Sequence, residues 1–240
     1  MQITLIRSLL SLLVFPVTTA LAQTAAPFNL GSVINSEARD AEPTFTPDGL
    51  TMYFNCFDRE SEEGSDICVS HRDGADWSEP TIVWEVSTRE HLEVEPLLSP
   101  DGQQLYIMSN RPGGKGGMDI WVSDLVDDNW KSPRNLDGPI NSAYADHCLY
   151  FAGDEWETAY WTSTRPGGFG GNDIWTSEKI NGVWQEAKNL GTNVNSAASE
   201  HHSLPSPDGN SLYVTSTRPV SYTHLRAHET SLHLVCRLLL

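Results

Sequence analysis

The sequence predicts an all-β fold, a β-propeller of four-stranded blades with about 53 residues to each blade. Three observations carry that expectation. First, unrelated markers keep one beat. Asp48 to Asp101 spans 53 residues, Asp66 to Asp119 spans 53, Trp77 to Trp130 spans 53, and Arg165 to Arg218 spans 53. Second, each beat breaks into short apolar runs separated by Gly, Pro and Asp. Third, no stretch sustains the 3.6-residue period of an amphipathic helix.

Within a unit the elements follow in order. Glu95-Pro96-Leu97-Leu98-Ser99 reads as a first strand, and Pro100-Asp101-Gly102 as the turn that ends it. The same turn recurs at Pro47-Asp48-Gly49 and Pro207-Asp208-Gly209, and in scrambled order at Gly153-Asp154-Glu155. Leu105-Tyr106-Ile107-Met108-Ser109 is the second strand. Arg111-Pro112-Gly113-Gly114-Lys115-Gly116-Gly117 is a loop that no strand or helix interior would tolerate. Asp119-Ile120-Trp121-Val122-Ser123 is the third strand, and Trp130-Lys131-Ser132-Pro133 leads to a fourth near Asn135-Leu136. One such sheet cannot cover both of its faces. Radial stacking buries them, with Trp121 and Trp175 expected in the filling.

The ends of the chain break the beat. Residues 1–22 combine Arg7, an apolar run and Ala20-Leu21-Ala22, the layout of a cleaved secretory signal peptide. No Cys follows the cleavage point, and the run is too short for a span. Residues 29–36 match residues 189–196, so they are expected to be the end of a unit and a candidate closing strand. After Arg218-Pro219 the beat demands another glycine loop, but Val220-Ser221-Tyr222 follows. Residues 220–240 are therefore expected to be a non-native tail on a propeller truncated at its C-terminus. Residues 23–219 then hold three whole units and partial units at both ends.

That region carries 31 acidic and 12 basic side chains. Such a surface disfavours nucleic acid and anionic membranes. A 39% hydrophobic and 20% charged composition excludes a disordered acidic tail and a membrane bundle alike. The expected location is periplasmic or secreted, with no membrane span.

The recurring S-P-D-G-x-x-L-Y, S-x-R-P-G-G-x-G-G-x-D-I-W and W-x-x-P-x-N-L-G motifs resemble the WD-repeat-like, TolB-type propeller repeats. They are similar in particular to exported versions that can accompany OmpA-like domains. The resemblance covers about residues 28–219. It implies a periplasmic or outer-membrane-associated binding scaffold, and related propellers also carry enzymes. Residues 58–64 depart from the glycine loop, and no OmpA-like domain is present, so peptidoglycan anchoring does not carry over.

An acid stands at one place in every unit: Asp40, Glu93, Asp146 and Glu200. Two residues later come Glu42, Glu95, Cys148 and His202. Two readings of these acids are open. They form a ring of carboxylates at a channel rim that binds a cation, or each pairs with an Arg of a neighbouring repeat such as Arg111, Arg165 or Arg218. His147, His201 and His202 stand beside them. With Asp146 and Glu200 they could hold zinc or manganese, or they are ordinary surface histidines. The acidic loop over residues 58–66 lacks the EF-hand order and reads as solvated. Cys56 and Cys68 flank that loop and are candidates for a disulfide in an exported chain, although sequence does not fix their separation.

The glycine loops are not phosphate cradles, because they join two strands and lack Gly-Lys-Ser/Thr at a helix start. Nucleophile-elbow, H-E-x-x-H and paired-Cys zinc patterns are missing from the sequence. The expected function is a non-catalytic binding scaffold for a protein or a cell-envelope polysaccharide, with no firmly implied cofactor beyond a possible divalent cation. The alternative is a carbohydrate-active hydrolase or lyase at the channel mouth, with or without a metal.

Overall fold

A computed structural model describes residues 29–57, 64–153, 155–206 and 209–219, with the backbone of Leu234–Leu239. The chain is an all-β propeller. In the first blade β1 (Asp40–Phe45), β2 (Thr51–Phe57) and β3 (Ser65–Asp73) pair antiparallel in sequence order. The outer strand is split: β4 (Asp76–Trp77) and β5 (Thr81–Ile82) both pair with β3. The expected fourth strand is thus two short pieces, because the Ser78-Glu79-Pro80 break cannot continue the ladder.

The second blade repeats this with β6 (Glu93–Leu98), β7 (Gln104–Ser109), β8 (Asp119–Val126), β9 (Asn129–Trp130) and β10 (Arg134–Asn135). The third has β11 (Asp146–Ala152), β12 (Thr158–Ser163), β13 (Asp173–Ile180), β14 (Val183–Trp184) and β15 (Lys188–Asn189). In the fourth, β16 (Glu200–Pro205) and β17 (Ser211–Ser216) pair, and β18 (Leu234–Leu239) adds to β17. The first strands of successive blades adjoin one another, so they line the axis.

Middle strands are buried on both faces. In β7 the even spacing of side chains divides them between two cores. Leu105 and Ile107 pack with Tyr53 and Ile67 of the first blade, while Tyr106 and Met108 pack with Leu149 and Trp161 of the third. Trp121 and Trp175 fill these interfaces at 6% and 7% exposure. Trp130 reaches back across one interface, its Nε1 donating to Tyr53 Oη at 3.2 Å.

The hairpin turns follow from their residues. Gly102 N donates to the Ser99 carbonyl at 2.8 Å, and Asp101 Oδ1 accepts from Ser99 Oγ at 2.5 Å and from Gln103 N at 3.0 Å. Pro100 presets the turn and Gly102, at φ +71°, supplies the left-handed residue that closes it.

The glycine loops wrap a carboxylate. Asp119 accepts from the backbone N–H of Lys115 and Gly116 and from Asn135 Nδ2. A Cβ on Gly114 would lie 2.0 Å from Asp119 Oδ2, and one on Gly116 would lie 1.9 Å from the Tyr144 carbonyl oxygen. Close approach, more than turn angles, therefore explains these glycines. Asn141 completes the motif by exchanging hydrogen bonds with both backbone groups of Ile120, at 2.9 and 2.7 Å.

Residues 29–36 form a turn, in which Asn35 N donates to the Gly31 carbonyl at 2.9 Å. They are not the strand expected for ring closure. They cover the outer side of the first blade, where Leu30 and Ile34 pack on Met52 and Phe54 as Leu136 and Ile140 pack on the second blade. Beside them a cleft of about 490 Å³ opens, lined by Leu30, Val33, Phe45 and Trp77. Residues 1–22, where a signal peptide is expected, most of the acidic loop and residues 220–233 lie outside the described residues. Among the described residues no helix is long and apolar enough to cross a membrane.

Candidate functional site

The four repeat-wide acids open the four inner strands, β1, β6, β11 and β16. Glu93, Asp146 and Glu200 are each 0% exposed. Arg111 Nη2 lies 2.9 Å from Glu93 Oε1, Arg165 Nη2 lies 2.6 Å from Asp146 Oδ1, and Arg218 Nη2 lies 3.0 Å from Glu200 Oε1. Each Arg belongs to the same blade as its acid, not to a neighbouring repeat. The reason is register: Glu93 pairs with Ser109, so the hairpin delivers Arg111 two residues later.

Each clasp is closed from the other side by the preceding loop. Ser142 N and Oγ donate to Asp146 Oδ2 at 2.6 and 2.7 Å, and Ser196 N and Oγ donate to the Glu200 carboxylate at 2.9 and 2.6 Å. Thr88 N donates to Glu93 Oε2 at 2.8 Å. Burial raises the pKa of Glu200, but hydrogen bonds from Ser196, Ser216 and Arg218 outweigh it and hold the group below the usual carboxylate range. These acids fasten blades and do not face solvent. Asp40 is partly exposed and accepts from Ser36 N and Oγ at 2.7 and 2.6 Å.

The residues two positions later behave differently. Every inner strand carries an irregularity there. Glu42, Glu95, Cys148 and His202 adopt φ of 55°, 55°, 54° and 38°, in the left-handed region that non-glycine residues seldom enter. The bulge breaks the strand's alternation, and it turns Glu95 from its own sheet toward Cys148 of the next blade. Asn55 Nδ2 donates to Glu42 Oε2 at 2.6 Å, and Asn55 Oδ1 accepts from Glu95 N at 2.7 Å. Glu95 Oε2 accepts from Cys148 N at 2.7 Å, and the Cys148 thiol donates to Glu95 Oε1 at 3.3 Å. Tyr150 Oη lies 3.3 Å from His202 Nδ1. The result is a ladder around the axis that stitches blade to blade.

The histidines join this ladder. His147 Nδ1 is 3.1 Å from Cys148 Sγ, and the His147 and His201 rings are 5.9 Å apart. Asn172 Nδ2 lies 3.3 Å from His201 Nε2. Ligand atoms of His147, Cys148 and His201 lie within 4.8 Å of one another, and so do those of Glu95, Cys148 and His202. The grouping of histidines with Asp146 and Glu200 is corrected by this geometry, because Arg165 and Arg218 occupy those carboxylates. Cys148 and Glu95 take their place.

Electrostatics at the cluster follow from enclosure. Burial, with the Glu42 carboxylate nearby, pushes Glu95 up to about 7. Burial, and then Glu95, raise the Cys148 thiol well above its ordinary value. Burial and the charge of His201 lower His147. Burial raises Tyr150 as well.

Cys56 and Cys68 form a disulfide between β2 and β3, with Cα atoms 5.8 Å apart. Cys148 is a free, buried thiol.

No family model matches the chain, and no curated protein does. Among solved structures it is similar to the Kuenenia stuttgartiensis hydrazine synthase, at 15% identity and a TM-score of 0.47 over 72% of this chain and 48% of that one. It is similar to a Mycobacterium tuberculosis puromycin-hydrolyzing peptidase, at 15% identity and 0.46, over 76% and 26%. An α-L-arabinofuranosidase from Lactobacillus brevis matches at 15% and 0.46, over 73% and 62%. The chain spans less than two thirds of each of these proteins.

Proposed function

We propose that the chain is an exported, TolB-type, WD-repeat-like propeller that serves as a non-catalytic binding scaffold for a protein or a cell-envelope polysaccharide. The observation that carries this reading is the fate of the acids. Three of the acids on which a glycoside hydrolase would draw at the channel mouth, Glu93, Asp146 and Glu200, are fully buried and clasped by Arg and Ser. A carboxylate so committed neither protonates a leaving group nor activates water.

Exposed aromatics supply the contact surface. Trp84, Tyr144 and Phe169 are 39%, 45% and 48% exposed. All three lie on loops at the end of the blades where the inner strands begin, and Arg89 sits 4.5 Å over the Trp84 ring. Aromatic faces beside a cation suit sugar rings and interface anchors. The Cys56–Cys68 disulfide supports an oxidising compartment.

The test is co-sedimentation of the full chain with purified envelope polysaccharide, and separately with immobilised envelope protein. Binding without release of cleavage products is expected, with binding lost in the Trp84→Ala, Tyr144→Ala, Phe169→Ala triple variant. Release of reducing sugar by the native chain would overturn the reading in favour of a hydrolase.

A further inference from the structure

We propose that Cys148, His147 and His201 form a binding site for a zinc-class divalent transition-metal ion at the axial rim, between the third and fourth blades. This inference does not depend on the binding-scaffold reading.

The donors fit such an ion. A thiolate and two imidazoles suit zinc and its cobalt surrogate, and three protein ligands leave a fourth position for water or an incoming ligand. Donor atoms around such an ion stand roughly 3.5 Å apart. Here Nδ1 of His147 is already 3.1 Å from Cys148 Sγ, and the ligand atoms of all three residues lie within 4.8 Å of one another. The left-handed φ of 54° at Cys148 fixes the backbone that presents two of the ligands. His201 comes from the adjoining inner strand, with the Asn172 side chain 3.3 Å from its Nε2.

The fold does not itself require these side chains. The ladder needs an acceptor at the bulge, and a glutamate fills that place in the first two blades as Glu42 and Glu95. The position before it is Ala41 and Val94 in those blades but His147 and His201 in the third and fourth. Thiol and imidazoles therefore gather only where two adjacent blades meet. On binding, the Cys148 Sγ–H bond breaks, an Sγ–metal bond forms, and the proton goes to water. The dication's charge also offsets the repulsion between the thiolate and the Glu95 carboxylate, whose Oε1 is 3.3 Å away.

Cobalt(II) titration of the purified, metal-stripped full chain tests this. The expected result is a thiolate-to-cobalt charge-transfer band that saturates at one equivalent and is displaced by zinc. It is absent in Cys148→Ser, while the His147→Asn, His201→Asn variant binds cobalt at least about tenfold more weakly. His202→Asn keeps the band. Zinc raises the melting temperature of the native chain and not of the double-histidine variant, which reads binding even if Cys148→Ser folds poorly. No band in the native chain, an undiminished band in Cys148→Ser, or loss in His202→Asn with none in the double variant would overturn the assignment.

Discussion

Removing Arg165 would leave Asp146 buried with one side of its carboxylate stripped. Arg165 also holds the carbonyls of Pro139 and Ile140 and lies 5.2 Å over both Trp161 and Trp175. Breaking a buried pair from one side is far more costly than the net worth of the pair. Arg165→Ala is therefore expected to lower stability by about 3–5 kcal/mol in urea unfolding. Arg165→Lys should recover little of it, because a point charge cannot serve acid, serine and carbonyls together. The acids were legible in the sequence as a period. Their partners were legible as residue types but not as an address, since a spacing of 18 or 19 residues does not announce a hairpin register. The repeat set Cys148 at one station with Glu95 and His202, but it did not show its contacts with them. In an unbroken strand, residues two apart share a face, so Asp146 and Cys148 should have pointed together. The bulge parts them, and alternation gives no warning of a bulge.

At the scale of the element, the hairpins and glycine loops were written openly in turn residues, while the broken outer strand was blurred by its two-residue pieces. The hairpin carboxylates carry a pH signature. Asp101 lies below its ordinary value, chiefly through the Ser99 hydroxyl and then the Gln103 N–H. A lowered pKa in the folded state means that its contribution is present above about pH 4 and lost as pH falls through the folded value. Asp101→Ala should therefore differ in stability from the native chain at pH 6, with the difference shrinking at pH 3. An equal gap at both values in urea melts would show that the turn does not draw on the charged form.

Across the whole molecule, stability resides in surfaces shared between blades. Met108, 1% exposed, sits in the core between the second and third blades. Met108→Ala is expected to cost about 2–5 kcal/mol. In a stack held by nearest-neighbour interfaces, hydrogen exchange should quicken in β7 and β12 together and least in β1. The repeat made this architecture readable, because one period places every interface at once. Tyrosine exposure reports where an interface is made: Tyr53, Tyr106 and Tyr160 are 9%, 7% and 9% exposed, and Tyr213 at the same station is 36%.

The four left-handed bulge positions, finally, behave as interchangeable sockets. Their backbone is nearly the same from blade to blade, yet they carry Glu, Glu, Cys and His. Because what recurs at such a socket is the left-handed backbone and not one side chain, the chemistry facing the axis can be rewritten one blade at a time while the sheet behind it stays fixed. A duplicated blade gives evolution, or a designer, a turret with as many independently chosen functional groups as it has blades.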